Sequence, residues 1–237
     1  MEQTPDFIPL LQKFLPELTE KQTAQLDLYA RRLTETNKLF NLTALTDPEE
    51  IVLLHLYDSL TLLQTGYFLP GKKVLDVGTG GGVPAFPLAV CTECALAAND
   101  ATKKKLDFVS AAAKEACLDN LSVLCGRAEE LGKDPAYRES FDIVVSRGVA
   151  RMNVLAEWCM PFVKVGGVFI AMKGSSGEEE LQEAENAVRT LGGEALPVLS
   201  CPIPAVSHSH TLLIIKKTRP TGAQYPRPNG RIKKKPL

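Results

Sequence analysis

The chain predicts an α/β fold: a Rossmann-like, mostly parallel sheet with an antiparallel last strand, preceded by a helical extension. Three observations predict it. From Lys72 onward, apolar β-rich runs alternate with amphipathic stretches, the pattern of parallel strands joined by crossover helices. The first such run, Lys72–Val90 (KKVLDVGTGGGVPAFPLAV), passes from strand to helix through Gly78, Gly80, Gly81 and Gly82. Open α/β sheets bind nucleotide-like ligands at junctions of this kind. The last two runs, Ala195–Leu199 and Thr211–Lys216, leave too few residues between them for a crossover helix, so they pair antiparallel.

Residues 1–65 read as the helical extension. Pro5–Leu15 is short and amphipathic, and Thr19 with Gln22 forms a capping box for the next helix. Leu26, Tyr29, Ala30, Leu33 and Asn37 share one face of that helix at i, i+3, i+4 steps. Asn41-Leu-Thr breaks the pattern, and Asp47-Pro48 opens another helix with acids in its first turn. Its spacing sets His55 and Asp58 near one face, either as a functional pair or as a satisfied polar contact.

Residues 66–217 carry the sheet. After the glycine loop come strands at Cys94–Asn99, Leu121–Cys125, Phe141–Val145 and Gly167–Met172. Helices fall at Thr102–Cys117, Met152–Phe162 and Glu178–Leu191. Phe141–Val145 (FDIVV) is nearly all apolar, which places it centrally. Arg147 follows at the carboxyl edge, where open α/β sheets take their ligands; a surface arginine paired with an acid is the plainer alternative. Residues 218–237 form a basic tail, read as part of the same globular unit because Tyr225, Pro226, Pro228 and Pro236 argue for a shaped segment.

The loop reads G-T-G-G-G rather than the dinucleotide pattern G-x-G-x-x-G. Asp76 lies two residues before its first glycine. An anion there repels a pyrophosphate and suits a cationic, hydroxyl-bearing ligand, so S-adenosylmethionine is favoured over NAD. Asp100 ends the second strand 22 residues after Gly78, the distance at which an acid accepts ribose hydroxyls. A parallel sheet that finishes in an antiparallel hairpin matches the class I methyltransferase variant of the fold.

Composition excludes several classes. At 45% hydrophobic and 23% charged, the 237 residues are those of an ordinary globular protein. No apolar run approaches the roughly 18 residues of a membrane span, and the N-terminus lacks signal-peptide order. The six cysteines read as free, mostly buried thiols, which with no export signal implies a cytoplasmic location. Cys91-Thr-Glu-Cys94 is a lone pair with no second pair or histidines at ligand spacing; His208 and His210 could in principle join it, but no metal is expected. Net charge is −1, yet residues 216–237 carry +8 and no acid, leaving −9 on the rest. Such a tail suits a polyanion, RNA above all, or else merely aids solubility.

Several stretches together resemble the RsmG (GidB) family of bacterial methyltransferases, which modify N7 of a guanine in small-subunit ribosomal RNA. They are NKLFNLTALTD, HLYDSL, VLDVGTGGGVPAFPLA, D-A-T-K-K, GRAEE, DIVVSRGVA, MKG and the tail YPRPNGRIKKKPL. The resemblance implies that Gly78 and Val83 contact the methyl donor, that Ala128 and Glu129 lie beside its adenine, and that Arg147 stands near the transfer site. Gly80 and Asp100 join the donor residues from the reading of the loop. The implied substrate is 16S rRNA or the assembling small subunit. Lys103, Lys104, Lys173, Arg227, Arg231, Lys233, Lys234 and Lys235 are the candidates to grip its backbone. A small-molecule methyltransferase would not need the tail, and a non-catalytic rRNA-binding protein would bind no donor.

Overall fold

The structure, a computed structural model, describes residues 5–207 and 210–237; His208 lies outside them. The N-terminal segment folds into α1 (Ile8–Phe14), α2 (Glu20–Asn37) and α3 (Pro48–Ile51). It then widens into a π turn over Val52–Tyr57, resumes as α4 (Asp58–Leu60) and tightens to a 3₁₀ turn over Thr61–Thr65. The predicted capping box is present at Thr19 and Gln22. The π turn departs from the regular helix that the spacing of Ile51–Leu62 predicts, and its cause is local. The Asp58 N–H bonds the Leu53 and His55 carbonyls and passes over Leu54, whose carbonyl instead accepts from the Arg147 guanidinium. A side chain inserted into the backbone ladder loosens the helix there.

The sheet region follows in order: β1 (Lys73–Val77), α5 (Ala85–Cys91), β2 (Ala95–Asp100), α6 (Lys103–Glu115), β3 (Leu121–Cys125), α7 (Ala128–Leu131), β4 (Phe141–Arg147) and α8 (Met152–Cys159). Then come β5 (Val163–Lys173), α9 (Gly177–Glu183), α10 (Glu185–Thr190), β6 (Gly193–Ala195), β7 (Leu199–Ser200), β8 (Thr211–Lys217) and α11 (Asn229–Lys234). The strand order is β3-β2-β1-β4-β5-β8-β6, with β7 also on β8. The first five are parallel and β8 runs antiparallel to β5, as predicted, and the apolar β4 is central.

Two predicted elements are divided. The strand Ala195–Leu199 becomes two short pieces on β8, with Ala195 opposite Ile215 and Leu199 opposite Leu212. Pro197 between them has no N–H for the ladder. The helix Glu178–Leu191 breaks at the buried Ala184, between α9 and α10.

Alternation along the strands feeds a core on each face. Val74, Leu96, Val145 and Ile170 meet Phe7, Leu26, Tyr29 and Phe86, so the N-terminal helices share this core with α5 and α6. Leu75, Val144, Phe169 and Leu213 meet Leu155, Phe162, Val188 and Ile232 of α11 on the other face. Burying Ile232 contributes roughly 1.5–3 kcal/mol. Lys217, fully buried, donates to the Met160 carbonyl (2.7 Å) and the Thr221 hydroxyl (2.5 Å) and lies 3.2 Å from Glu139. Burial pushes its ammonium down to about 8, with Glu139 opposing.

Three cysteines (Cys94, Cys159, Cys201) are buried, whereas Cys117 and Cys125 are exposed, against the expectation of mostly buried thiols. No helix among the described residues is long and apolar enough to cross a membrane.

Candidate active site

The glycine loop sits at the carboxyl edge of β1. Gly78 and Thr79 donate their N–H groups to the Asn99 carbonyl at the end of β2 (2.9 and 2.8 Å). The Gly80 N–H donates to Asp100 Oδ2 (3.1 Å), and Asp100 Oδ1 accepts from Thr102 N–H (2.7 Å). Each carboxylate oxygen keeps a lone pair for a further donor. Tyr29 of α2 donates to the Gly81 carbonyl (2.8 Å) and stacks on Phe86, so the N-terminal helices brace the loop. Gly78 has φ +78°, and a Cβ on it would stand 2.5 Å from Val149 Cγ2; only glycine fits.

Asp76, expected from the sequence to favour a cationic donor, lines neither cavity at this edge. It is buried beneath the loop, where Oδ2 accepts the Ala85 N–H at the start of α5 (3.2 Å). Burial pushes its carboxyl up to about 7, against the pull of that hydrogen bond.

Two cavities open at this edge and share Gly78, Asp100 and Val149. The larger, of about 640 Å³, is lined by Gly80, Val83 and Arg147 together with Thr43, His55 and Asp58. The smaller, of about 180 Å³, is lined by Gly126, Ala128 and Glu129 and by Trp158, Asn229 and Lys233. The structure therefore brings every candidate donor residue to one edge, divided between adjoining spaces. A nucleoside with a side arm fits that arrangement. There is a turn that no Cβ obstructs, an acid with spare lone pairs at the junction, and a second acid, Glu129, beyond it.

Arg147 is held on the wall of the larger cavity. It donates to the Leu54 carbonyl, to Asp58 Oδ2 (3.1 Å) and to His55 Nδ1 (2.7 Å). Because a guanidinium only donates, Nδ1 of His55 accepts, and its Nε2–H donates to the Thr43 hydroxyl (2.6 Å). Burial, with Arg147 beside it, pulls His55 down to about 3, so the ring is neutral at physiological pH. His210 Nδ1–H reaches the other Asp58 oxygen (3.1 Å). Sequence reasoning missed Thr43, His210 and the latch behind them. Asn37 accepts from the Leu42 and Thr43 N–H groups (2.7 and 3.0 Å) and donates to the Thr43 carbonyl (3.0 Å), which fixes Thr43 against His55.

Two candidate RNA-gripping cations are engaged internally, and that expectation is corrected for both. Lys173 donates to the Ala150 carbonyl (2.6 Å) and Glu180 (2.7 Å) and is largely buried. Burial alone would raise the Glu180 carboxyl, but bonds from Lys173 and the Met152 N–H hold it below its usual range. Arg227 donates from Nε (2.8 Å), from Nη2 (2.5 Å) and from its own N–H (2.8 Å) to Glu157, which is 0% exposed. Lys103, Lys104, Arg231, Lys233, Lys234 and Lys235 are exposed. Lys104 lies 4.1 Å from the centroid of the Phe40 ring, and Lys105 lines the larger cavity.

Comparison with known proteins bears on the fold and the family. Among solved structures, an S-adenosylmethionine-dependent O-methyltransferase from Thermotoga maritima matches with a TM-score of 0.53 at 16% identity, over 70% of this chain and 66% of that one. The fibrillarin pre-rRNA processing protein of Methanococcus jannaschii matches with a TM-score of 0.52 at 15% identity, over 65% and 70%. At such identities the likeness is one of fold. In sequence, a Ribosomal RNA small subunit methyltransferase G from Alkaliphilus oremlandii is 40% identical over 222 residues, 93% of each chain. One from Lactobacillus delbrueckii subsp. bulgaricus is 38% identical over 234 residues, 98% of each. The family model described as rRNA small subunit methyltransferase G (GidB) matches residues 22–208. With that match spanning the glycine turn, the Arg147 wall and the parallel sheet beneath them, the chain belongs to the rRNA small subunit methyltransferase G family and takes S-adenosylmethionine as its methyl donor.

Proposed function

We propose that the chain methylates N7 of a guanine in a loop of 16S rRNA, by direct in-line transfer without a general base. The observation that carries this reading is the fixed guanidinium of Arg147 on the larger cavity, adjoining the Gly78 turn. Bound S-adenosylmethionine supplies an electrophilic methyl group on its sulfonium. Gly78, Gly80 and Val83 are assigned to that end of the donor, Asp100 to the ribose hydroxyls, and Ala128 and Glu129 to the adenine.

Guanine N7 bears a lone pair and no proton, so nothing need be removed from it. The larger cavity is consistent with that. Neutral His55 has both ring nitrogens engaged, and both Asp58 oxygens are paired. Catalysis then rests on alignment, where well-placed reactants gain up to about 7–11 kcal/mol. In the proposed role Arg147 orients the guanine or an adjacent phosphate. Inside an RNA helix N7 lies in a deep, narrow groove that side chains do not enter, which argues for an unstacked loop guanine. Exposed Lys103, Lys104, Arg231, Lys234 and Lys235 are proposed for the RNA backbone.

The test is transfer of labelled methyl from S-adenosylmethionine to small-subunit rRNA taken from cells lacking the protein. Borohydride–aniline cleavage then locates any 7-methylguanine. Label at one loop guanine is the expected result. Donor binding with no label on naked RNA or the subunit overturns the rRNA reading in favour of a small-molecule acceptor.

A further inference from the structure

The smaller cavity is bounded on one side by the tail, which a free RNA-binding arm would not explain. Asn229 and Lys233 of α11 line it across from Gly126, Ala128 and Glu129. We propose that the C-terminal tail is a wall of the donor's nucleoside pocket, with Asn229 and Lys233 as donor-binding residues. The inference rests on the reading that the adenine lies beside Ala128 and Glu129.

The tail is fastened where such a wall must be. Arg227 makes four hydrogen bonds to Glu157 of α8, the helix that also supplies Trp158 to the cavity. Removing a charged carboxylate from water is costly unless it is paired in good geometry. A segment needed only for loose contact with phosphates has no call for such an anchor. Arg138 adds hydrogen bonds to the Thr221 and Tyr225 carbonyls (2.7 and 2.8 Å), and Ile232 is fully buried. Lys233 then lies over the Trp158 ring, 5.6 Å from its centroid, opposite the acids Asp100 and Glu129 on the same cavity.

The polar chemistry of this wall is incomplete without a ligand. Trp158 Nε1 and Asn229 Oδ1 are both buried and have no hydrogen-bond partner among the described residues, and both residues line this cavity. Buried polar groups are nearly always satisfied, and exceptions point to a missing partner. One is a donor only and the other an acceptor. An adenine edge is complementary: its exocyclic amine donates and its ring nitrogens accept. Hypoxanthine presents an oxygen in place of that amine.

Calorimetry with S-adenosylhomocysteine tests the assignment, with 5′-methylthioadenosine as the probe of the nucleoside half alone. Asn229→Ala should raise Kd roughly tenfold for both probes, the loss of one hydrogen bond in a buried site, and Lys233→Ala, at an exposed lysine on the rim, about threefold. Arg231→Ala, exposed on the same helix and away from the cavity, should leave both unchanged. In Asn229→Ala the affinity for rRNA without donor should stay at the wild-type value, while discrimination against S-inosylhomocysteine falls. Asn229→Asp, which keeps an acceptor at the same place, should retain binding and exclude a folding defect. Wild-type binding with unchanged Kd values in Asn229→Ala and Lys233→Ala overturns the tail's role and leaves the donor site standing. A wild-type chain that binds neither probe overturns the placement of the adenine itself, and the inference with it.

Discussion

The larger cavity draws its wall from Thr43, His55, Asp58, Arg147 and His210, residues scattered over most of the chain, and joins them in one network. The smaller cavity takes its floor from two short runs, Asn99–Ala101 and Gly126–Glu129; among the described residues two buried polar atoms of its wall, Trp158 Nε1 and Asn229 Oδ1, lack partners, against Thr79 Oγ1 on the larger cavity. The difference teaches how each space selects what enters it. In the first, charge is neutralised internally and what remains is fixed geometry, the preorganisation a methyl transfer needs. In the second, unsatisfied groups are left for the ligand, so recognition there is a matter of complementary hydrogen bonding.

Breaking the network should give the largest effect. Arg147→Ala leaves Asp58 buried with its cation gone and returns the Leu54 carbonyl to the helix. Methyl transfer to rRNA should fall about 100-fold or more, since displacement by about 1 Å suffices for that. Stability should drop by about 3–5 kcal/mol, the usual cost of orphaning a buried charge, read by urea unfolding. Full activity with unchanged donor and RNA affinity in this variant would remove Arg147 from the mechanism. Next in size, Arg227→Ala strands Glu157 and should cost a similar 3–5 kcal/mol. Replacing both by Leu and Met should restore most of that stability, and with it donor affinity if the tail is held by packing alone.

How much of each cavity was legible follows from the same contrast. The smaller cavity's floor and the glycine turn are local in sequence: a strand, a turn and an acid at fixed spacing, all recovered where expected. Asp76 was misread although the signal was present. In a strand of period two it shares a face with Val74, which enters the core under α5. An acid on that face braces the turn from beneath and lines neither cavity. The larger cavity was legible only in fragments. Helical spacing paired His55 with Asp58, but nothing local links them to Arg147, 89 residues beyond Asp58, or to His210 on the entry to β8. Lys173 and Arg227 were misjudged for a related reason. Charge in a sequence does not show whether its counter-ion, Glu180 or Glu157, arrives from the fold.

Smaller effects sharpen the boundary between the cavities, where Val149 faces Gly78. Gly78→Ala introduces a Cβ 2.5 Å from Val149 Cγ2 at a left-handed backbone position, a strain of about 1–3 kcal/mol. Affinity for S-adenosylhomocysteine should fall about tenfold. Adding Val149→Ala should recover part of the loss by removing the clash but not the backbone strain. No recovery would show that Val149 is not what confines the turn.

The smallest expected effect sets two buried titratable groups, Asp76 and His55, against each other. Asp76 titrates near 7 in the fold rather than at 3.8, so the native state holds the extra proton between those values, and its contribution to stability declines as pH rises. His55 titrates near 3 rather than 6.5; the unfolded state holds the extra proton, and stability rises with pH across that window. Between about pH 4 and 6.5 the two slopes oppose, each at most about 1.4 kcal/mol per pH unit. Relative to wild type, His55→Gln should make unfolding free energy decline with pH over that range, and Asp76→Asn should make it climb. Urea unfolding at pH 4.5 and 6.5 reads both signs. Equal slopes in all three proteins would mean that neither group is held away from its ordinary protonation, and that the network around Arg147 is wetter than its contacts imply.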